Sequence, residues 1–390
     1  MSLILVSAWP ALLAVLPCSP AFAAEPLDVC AAPFGARGDG VANDRAAIQA
    51  AVDEPARPAM TDGEAAPGKW VRQYADEYRG TRVFHALYLP TNWRPGGKYP
   101  VIVEYAPNQW APARLTGKVE DCRMGFYLAA GRDFIWVVMP YVDPVKKENV
   151  VLWWGDEDAT VKYCVANLRR ICEQYGGDQN AVFITGFSRG AIACGYLGLR
   201  DETAADIWLA FLPHSHIDGG RFTPKGARER LARTRGRATF VTCGSKDDGR
   251  NESPKGAAIL RELKFPVVER EIAGLEHTDL WIEKDSPTRR EMREWIAEVL
   301  RKRPGTHAVR GRVVDADGKG IAGVHVQCGN WHWSVTGADG RYEIPSLVPG
   351  SRKLVPTKPG MTFAPARQEI AVEGRDVAAE PFTAKGAGGR

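Results

Sequence analysis

The segment that most constrains the fold of this 390-residue chain is VFITGFSRG, from Val182 to Gly190. An apolar, β-branched run leads into Gly-x-Ser-x-Gly and continues as the helix-forming stretch AIACGYLGL. This order predicts a strand, a sharp turn and a helix, in which Gly186 and Gly190 leave room for a strained backbone at Ser188. The serine oxygen would stand clear at a helix start, whose amides can stabilise a developing oxyanion. The alternative is a turn with a structural role only.

The composition is that of an ordinary globular protein, with 45% hydrophobic and 25% charged residues. A chain of this length predicts two or three domains. The 51 basic and 47 acidic residues are dispersed along the chain without a long run of one sign. We therefore expect no nucleic-acid partner, and nothing in the sequence predicts an oligomeric state.

Residues 1–23 predict a signal peptide. They contain no charged side chain, carry two apolar stretches and end in Ala21-Phe22-Ala23, the small-x-small pattern of a signal-peptidase site. Pro10 interrupts the apolar region and argues against a spanning helix, and Leu16-Pro17 before Cys18 argues against a lipoprotein. We expect a secreted or periplasmic protein with no membrane attachment after cleavage. An uncleaved buried segment is the alternative.

Seven of the eight cysteines follow the predicted signal, and an odd number leaves at least one free thiol. Cys164 and Cys172 lie on one predicted helix, roughly 12 Å apart along its axis, which is too far for them to bridge each other. Either could pair with Cys122, and buried free thiols are the alternative.

Residues 24–68 are predicted to be a short N-terminal fragment. The stretch from Phe34 to Asp53, FGARGDGVANDRAAIQAAVD, resembles the opening of pectate-lyase-type β-helix proteins. A β-helix needs several stacked coils to bury its face, and the pattern changes by Gly68. We expect a remnant with one short helix near Asp44 to Val52 and a flexible linker, EPARPAMTDGEAAPG, behind it.

Residues 69–305 alternate strand-like apolar runs with helical stretches, which predicts a mostly parallel sheet with helices on both faces. The predicted strands are Arg82–Leu89, Tyr99–Tyr105, Phe134–Tyr141, Ala181–Gly186, Ile207–Pro213, Ala238–Gly244 and Val267–Ala273. In the predicted last helix, Ser286 caps and Pro287 opens the first turn. The apolar side chains of that helix fall on one face: Met292, Trp295, Ile296, Val299 and Leu300.

This central domain resembles the α/β-hydrolase superfamily, and within it the esterase and depolymerase-like branch. The resemblance rests on ALYLPTNWRPGGKYPVIVEYAPNQW, on the turn at Ser188 and on the order serine, acid, histidine. It implies a doubly wound α/β fold with a mostly parallel sheet. It also implies a nucleophilic serine that is activated by a histidine, since a serine hydroxyl is a poor nucleophile without a base.

His277, in AGLEHTDLW after the last strand, occupies the place where the superfamily keeps its base. The acid should follow the preceding strand, in TFVTCGSKDDGRN. There Asp247 fits the superfamily's Gly-x-x-Asp spacing from Gly244, with its neighbour Asp248 as the alternative and Asp218 next in line.

The oxyanion donors implied by the resemblance are two backbone amides, those of Arg189 and Asn108. Asn108 lies in APNQW, in the place of the His-Gly-Gly-Gly-Trp loop of related esterases, where Pro107 has no amide to donate. A Ser-Arg pair also occurs in glucuronoyl esterases, in which the guanidinium helps to bind the oxyanion. A surface or structural salt bridge is the alternative for the Arg189 side chain.

Aromatic and histidine side chains near the same end of the sheet are candidates to contact the substrate. The candidates are Trp110, Trp153, Trp154, His214 and His216. The pattern His-x-His-x-Asp that ends at Asp218 could in principle ligate zinc, but a lone His-x-His is a weak signal. We expect no metal and no cofactor.

Residues 306–390 carry short alternating strands separated by Asp-Gly and Pro-Gly turns, which predicts an all-β sandwich. The stretches VRGRVVDADGKGIAGVHVQC and GADGRYEIPSLVPG resemble the carboxypeptidase-regulatory-like, transthyretin-type module. They carry no acid–base constellation, so we expect an accessory domain.

The sequence therefore predicts an exported serine hydrolase that cleaves carboxylic esters through an acyl-enzyme. An extracellular setting with an accessory sandwich favours acyl groups on plant cell-wall polysaccharide, such as acetyl, feruloyl or glucuronoyl esters. A serine peptidase of the same fold is one alternative. A carbohydrate-binding protein with an inactive hydrolase core is the other.

Overall fold

A computed structural model describes residues 56–247, 253–303, 307–347 and 350–385, which all belong to one compact unit. The predicted signal peptide, the pectate-lyase-like stretch with its predicted helix, and Asp248 lie outside these residues. In the described part of the chain, none of the helices has the combination of length and apolar character that a membrane crossing requires.

The first part of the described chain forms a large mixed sheet. Its strands are β1 (Met60–Asp62), β2 (Trp70–Gln73), β3 (His85–Tyr88), β4 (Tyr99–Tyr105), β5 (Ile135–Met139), β8 (Gly177–Phe187), β9 (Ala210–His214), β10 (Thr239–Gly244) and β11 (Val267–Ile272). The small ribbon of β6 (Val142–Asp143) and β7 (Glu148–Asn149) lies outside this sheet. The strand order is β1-β2-β3-β5-β4-β8-β9-β10-β11.

The sheet is parallel from β5 to β11, and β3 is antiparallel to both of its neighbours. Central strands such as IWVVM in β5 are fully buried, as expected for parallel strands that are covered on both faces. A parallel sheet places the carboxyl ends of its strands along one edge, so the loops after β4, β8, β10 and β11 gather there.

The predicted strands are confirmed, with small differences in their ends. β4 has the predicted bounds, and β9 is shifted so that it ends at His214 rather than Pro213. β1 and β2 were not predicted as strands. Because β1 pairs with β2, the sheet begins before residue 69, inside the stretch predicted to be a linker.

The helices connect the strands and pack on the sheet. They are α1 (Met124–Leu128), α2 (Glu157–Tyr175), α3 (Arg189–Tyr196), α4 (Glu202–Ala205), α5 (Ala227–Ala232), α6 (Ser253–Glu262) and α7 (Pro287–Lys302). Short 3-10 helices cover Asp76–Tyr78, Ala111–Ala113, Val119–Asp121 and Leu280–Glu283. The predicted start of α7 is confirmed, since Ser286 Oγ accepts a hydrogen bond from Arg289 N at 3.1 Å.

The C-terminal part of the chain is an all-β sandwich, as predicted. One sheet contains β12 (His307–Val314), β15 (Arg341–Leu347), β17 (Thr362–Ala364), β19 (Val377–Ala378) and β20 (Phe382–Lys385). The other contains β13 (His325–Cys328), β14 (His332–Val335), β16 (Gly350–Thr357) and β18 (Gln368–Val372). Inward-facing side chains such as Val326, Ile344 and Leu354 are fully buried between the sheets.

The sandwich is joined to the large sheet at the amino end of β8. Trp331 Nε1 donates a hydrogen bond to Gln179 O at 2.8 Å, and the Gln179 side chain bonds Trp333 N at 3.1 Å and Trp333 O at 3.0 Å. Trp331 is fully buried and belongs to the hydrophobic core of the sheet domain. The two parts therefore share packed surface.

Cys122, Cys164 and Cys172 are buried free thiols. The structure therefore agrees with the thiol alternative and pairs Cys122 with neither of the other two. Cys164 and Cys172 lie on the single helix α2, as predicted.

Candidate active site

Ser188 lies at the turn between β8 and α3, as the Gly-x-Ser-x-Gly pattern predicts. Its backbone has φ 55° and ψ −117°, a conformation that is strained for a side chain with a Cβ. A Cβ added at Gly186 would overlap the backbone of Gly190, and one at Gly190 would overlap the carbonyl of Tyr105. Glycine is therefore required at both positions, because the elbow packs directly against the end of β4.

The side chains of Ser188, His277 and Asp247 form a chain of hydrogen bonds. His277 Nε2 lies 3.0 Å from Ser188 Oγ, and His277 Nδ1 lies 2.9 Å and 3.0 Å from the two carboxylate oxygens of Asp247. These contacts match the arrangement of nucleophile, base and orienting acid in serine hydrolases. The residues predicted from sequence are brought together by loops that follow three different strands.

The loops that carry the acid and the histidine are bonded to each other. Ser245 N donates to Ile272 O at 3.0 Å, and Lys246 N donates to Leu275 O at 2.9 Å. A Cβ at Gly244 would overlap the Leu275 carbonyl. The backbone of the acid loop is thus fixed against the loop before His277, which sets the distance between the carboxylate and the imidazole.

The environment of Asp247 favours its ionised form. Burial would raise its pKa, but the hydrogen bond and charge of His277, together with the nearby His216, hold the pKa of Asp247 below its ordinary value. The carboxylate can therefore hold the Nδ1–H tautomer of His277 and stabilise an imidazolium.

Three rings surround the His277 imidazole. The ring centroid of Phe187 lies 4.7 Å from that of His277, that of His216 lies 5.4 Å away, and that of Trp110 lies 5.5 Å away in an edge-on contact. His216, which is 4% exposed, and Trp110 thus lie next to the catalytic base. Their contact with a substrate stays a prediction.

His214 does not line a substrate surface, and the prediction that it does is wrong. It is the last residue of β9 and is fully buried, with Nδ1 2.9 Å from Thr242 Oγ1 and Nε2 2.9 Å from Thr278 O. Burial lowers the pKa of His214 to about 4, so the ring is neutral. The contact between His214 Nε2 and Thr278 O fixes the loop that contains His277.

The backbone N–H of Arg189, the first proposed oxyanion donor, lies at the start of the helix that follows Ser188. Arg189 is the first residue of α3, so its backbone N–H has no acceptor within the helix. Asn108 follows the end of β4, the strand that packs against Gly190, and its Oδ1 accepts a hydrogen bond from Trp153 N at 2.8 Å. Its role as the second donor stays a prediction.

The Arg189 side chain follows neither of the two sequence hypotheses. It is 1% exposed, and its guanidinium donates to five backbone carbonyl oxygens rather than to a carboxylate. It lies against the face of Tyr141, with Cζ 3.9 Å from the ring centroid. No motif could have revealed this role, because backbone carbonyls carry no sequence signature.

A row of ring side chains, here called the aromatic wall, extends from His277 to the surface and consists of His216, Phe222 and Trp153. The His216 and Phe222 ring centroids are 5.8 Å apart, and those of Phe222 and Trp153 are 5.2 Å apart. Trp153 is 43% exposed and Phe222 41% exposed. Trp154 is more buried and packs on Trp153 and Tyr196 at 6.0 Å and 5.0 Å. Phe222 was missed from sequence because it lies in an aperiodic loop.

Asp218, the next candidate acid after Asp248, is paired with Arg230. Arg230 forms two hydrogen bonds to its carboxylate, at 2.7 Å and 2.8 Å, and the Asp218 side chain is fully buried. Among the described residues no three histidine, cysteine or acidic side chains are grouped as metal ligands would be.

The comparisons with known proteins agree with the two-part architecture. A family model, the carboxypeptidase regulatory-like domain, matches residues 308–384. With the strand order and the elbow, the preceding part has the α/β-hydrolase fold, so this predicted fold and the predicted carboxypeptidase-regulatory-like module are both confirmed. The pectate-lyase-like stretch lies outside the described residues. A comparison with curated protein sequences found no match.

Three solved structures illustrate the likeness of the hydrolase part. A thermostable esterase has 16% identity and a TM-score of 0.41, over 59% of this chain and 62% of that chain. An S-formylglutathione hydrolase from Agrobacterium tumefaciens has 13% identity and a TM-score of 0.42, over 59% and 94%. A ferulic acid esterase from Anaeromyces mucronatus, solved with ferulic acid, has 16% identity and a TM-score of 0.40, over 55% and 86%. Likenesses this distant carry no argument about activity.

Proposed function

We propose that the chain is a serine hydrolase that cleaves carboxylic esters through an acyl-enzyme. The observation that carries this proposal is the hydrogen-bonded series Ser188, His277 and Asp247, with both imidazole nitrogens engaged at 2.9 to 3.0 Å. A merely structural turn has no need of a strained serine aligned with a histidine and a carboxylate.

The proposed chemistry uses only these side chains and water. Ser188 Oγ attacks the acyl carbonyl carbon while its proton passes to His277 Nε2. The tetrahedral intermediate collapses, its bond to the alcohol oxygen breaks, and the imidazolium returns the proton to the leaving alcohol. Water then attacks the acyl-enzyme by the same route, which releases the acid and restores the serine.

Two backbone N–H groups, those of Arg189 and Asn108, are the proposed donors to the oxyanion. The amide of Arg189 is available because it opens a helix, where the dipole also favours negative charge. Removing one such donor typically lowers kcat by about 10²-fold to 10³-fold.

The aromatic wall supports a substrate with a planar or sugar ring near the ester. Trp153 and Phe222 are partly exposed and contact each other, and Phe222 contacts His216, which lies against the base. Aromatic rings bury large areas and stack on aryl or sugar rings. An aryl-acyl ester, such as a hydroxycinnamoyl group on a polysaccharide, is the substrate class that we propose.

Activity on defined substrates tests whether the protein is an enzyme and whether it cleaves esters. Purified protein should hydrolyse p-nitrophenyl acetate, and Ser188→Ala should not. Hydrolysis of aminoacyl anilides with no ester cleavage would instead indicate a peptidase. Binding to polysaccharide without turnover of either substrate would indicate an inactive core.

The aromatic wall is tested by Trp153→Ala. Loss of one ring stack should raise KM for a methyl hydroxycinnamate roughly threefold to tenfold, with little change for p-nitrophenyl acetate. Tyr74→Ala is the matched control, since Tyr74 is also 43% exposed but packs on Phe84. An equal effect of Trp153→Ala on both esters would reject the proposed ring site.

We also propose that the protein is exported, on the basis of the Ala21-Phe22-Ala23 pattern. N-terminal sequencing of protein from the native host should find a chain that begins after Ala23. A mature chain that retains residues 1–23 would contradict export through a cleaved signal.

A further inference from the structure

The Arg189 guanidinium, next to the nucleophile in sequence, is saturated by backbone carbonyls. Arginine has five N–H donors in a fixed fork. The acceptors are Ala106 O at 3.3 Å from Nε, Val150 O at 3.5 Å and Trp153 O at 2.7 Å from Nη1, and Pro107 O at 2.6 Å and Gly117 O at 3.1 Å from Nη2. No donor is left for a substrate oxygen, so this guanidinium does not bind an oxyanion itself.

Burying this cation has a cost that the surrounding dipoles offset. Burial lowers the pKa of Arg189 below its ordinary value, although an arginine remains charged. Carbonyl oxygens and the face of Tyr141, 3.9 Å from Cζ, stabilise the charge. Tyr141 also donates from its hydroxyl to Ala106 O at 2.9 Å, so it is part of the same arrangement.

The carbonyls belong to loops that build the active-site edge. Ala106 and Pro107 lead from β4 to Asn108, the proposed second oxyanion donor. Trp153, in the aromatic wall, has φ 53°, a left-handed conformation that is unfavourable for a bulky residue. Its C=O is held by Arg189 and its N–H by the Asn108 side chain, at 2.7 Å and 2.8 Å.

The bond to Pro107 determines the direction of the Asn108 amide. Pro107 C=O and Asn108 N–H belong to one trans peptide unit, in which the two groups point in opposite directions. Because Arg189 Nη2 binds Pro107 O at 2.6 Å, the Asn108 N–H must point away from the guanidinium. A charged donor on the carbonyl also polarises the peptide and strengthens its N–H as a donor.

We propose that Arg189 is a positioning residue that orients the Asn108 N–H toward the oxyanion through the Pro107 carbonyl. This inference rests on the proposed ester hydrolysis. It assigns to the Arg189 side chain an effect on the transition state with no contact to the substrate, while its backbone N–H acts as the other donor.

The chain supplies a matched control in Arg237. Its side chain is half-buried and also binds backbone carbonyls, among them Thr234 O at 2.6 Å and Trp208 O at 2.8 Å, together with those of Ala205 and Arg233. Burial lowers the pKa of Arg237 to about 10. Arg237 precedes β10, so it lies toward the amino end of the sheet, away from the elbow.

The test compares Arg189→Met with Arg237→Met in the full-length protein, with active sites counted by fluorophosphonate titration. Both variants should lower the melting temperature. Only Arg189→Met should lower kcat on p-nitrophenyl acetate, by about 10²-fold with KM within about threefold of wild type. Its Ki for an aryl trifluoromethyl ketone, which forms an oxyanion on Ser188, should rise by the same factor as kcat/KM falls.

Arg189→Lys carries the test if the methionine variant does not fold. An ammonium has three donors instead of five, so kcat should fall by a smaller factor, with the ketone Ki again rising in proportion. A kcat within threefold of wild type in either Arg189 variant would overturn the inference. So would equal losses of kcat in Arg189→Met and Arg237→Met. Wild-type protein that neither labels nor turns over would instead reject the proposed function, and this inference with it.

Discussion

Strand β8 has different chemistry at its two ends. At its carboxyl end, Ser188 adopts a strained backbone and its hydroxyl lies 3.0 Å from His277 Nε2. At its amino end, Gln179 is buried and bonds Trp333 through both polar atoms of its side chain. The carboxyl end of β8 has a strained backbone at Ser188, and the amino end is covered by the sandwich.

The closed end shows what the sandwich does in this fold. Arg169 lies 5.7 Å and 5.3 Å from the ring centroids of Trp331 and Trp333 and donates to Gln327 Oε1 and Asn330 O. These two tryptophans are therefore used inside the molecule and are not presented to a polysaccharide. Functional sites often carry strain that the rest of the fold stabilises. The contacts of Gln179 with the sandwich lie at the opposite end of β8 from Ser188.

The largest effect is expected at the carboxyl end. His277→Ala should lower kcat by several orders of magnitude, and Asp247→Asn by a comparable or smaller factor, because each removes part of the proton-transfer chain. Asp248→Asn is the neighbouring control and should be milder. Steady-state kinetics on a small ester, with the melting temperature measured in parallel, makes the comparison. If Asp248→Asn had the larger effect, the acid would be Asp248.

At the amino end the expected effect is on stability. Trp331→Ala removes a fully buried indole and its hydrogen bond to Gln179 O, which should cost about 3–5 kcal/mol of unfolding free energy. Activity per folded molecule should be unchanged. Val335→Ala, at a half-exposed position at the end of β14, the strand that follows Trp331, should change stability by less than about 0.5 kcal/mol. Urea unfolding checks both. Lost kcat in folded Trp331→Ala would show that the two ends are coupled.

A smaller effect concerns pH at the carboxyl end. Burial raises the pKa of Asp279 to about 7, against the opposing charge of Arg123, while the nearby carboxyls of Glu104 and Glu283 raise it further. Because the folded-state pKa exceeds the unfolded value, the stabilisation is complete below the unfolded pKa and is lost as pH rises through about 7. As the pH rises from 5 to 8, the unfolding free energy of Asp279→Asn should increase by about 1–3 kcal/mol relative to that of wild type. Parallel stability curves for the two proteins would contradict this.

The amino end should show the opposite and smallest pH effect. Burial, with a contribution from Arg352, lowers the pKa of His332 to about 4. The folded state therefore keeps this ring neutral, and stability is lost as pH falls from the ordinary histidine range toward 4. His332→Gln should flatten the acid side of the stability curve. An unchanged acid limb in the variant would remove His332 from this role.

The sequence predicts the parts of this molecule that rest on hydrophobic patterning and backbone geometry. β4 is a mostly apolar run, YPVIVEY, and has its predicted bounds, and the glycines flanking Ser188 are required where they were expected. The edge strand β1 was missed because its three residues, MTD, are short and partly polar.

The side-chain partners were less predictable. His214 was predicted to contact the substrate because β9 was predicted to end one residue earlier, and inclusion in the strand buries it. The partners of Arg189 are carbonyl oxygens, which every residue possesses, so only the three-dimensional path of the loops selects them. The Ser188, His277 and Asp247 arrangement was predictable because the order and spacing of these residues resemble those of the α/β-hydrolase superfamily. The loops that carry them lie at one edge of a parallel sheet.

Covalent labelling of Ser188 tests the central claim most directly. A fluorophosphonate should add a single mass increment to the wild-type protein, and peptide mapping should place it on Ser188. Ser188→Ala should show no increment and no ester hydrolysis, with a melting temperature close to that of wild type. Labelling that persists in Ser188→Ala, or turnover by that variant, would contradict the proposal that Ser188 is the nucleophile.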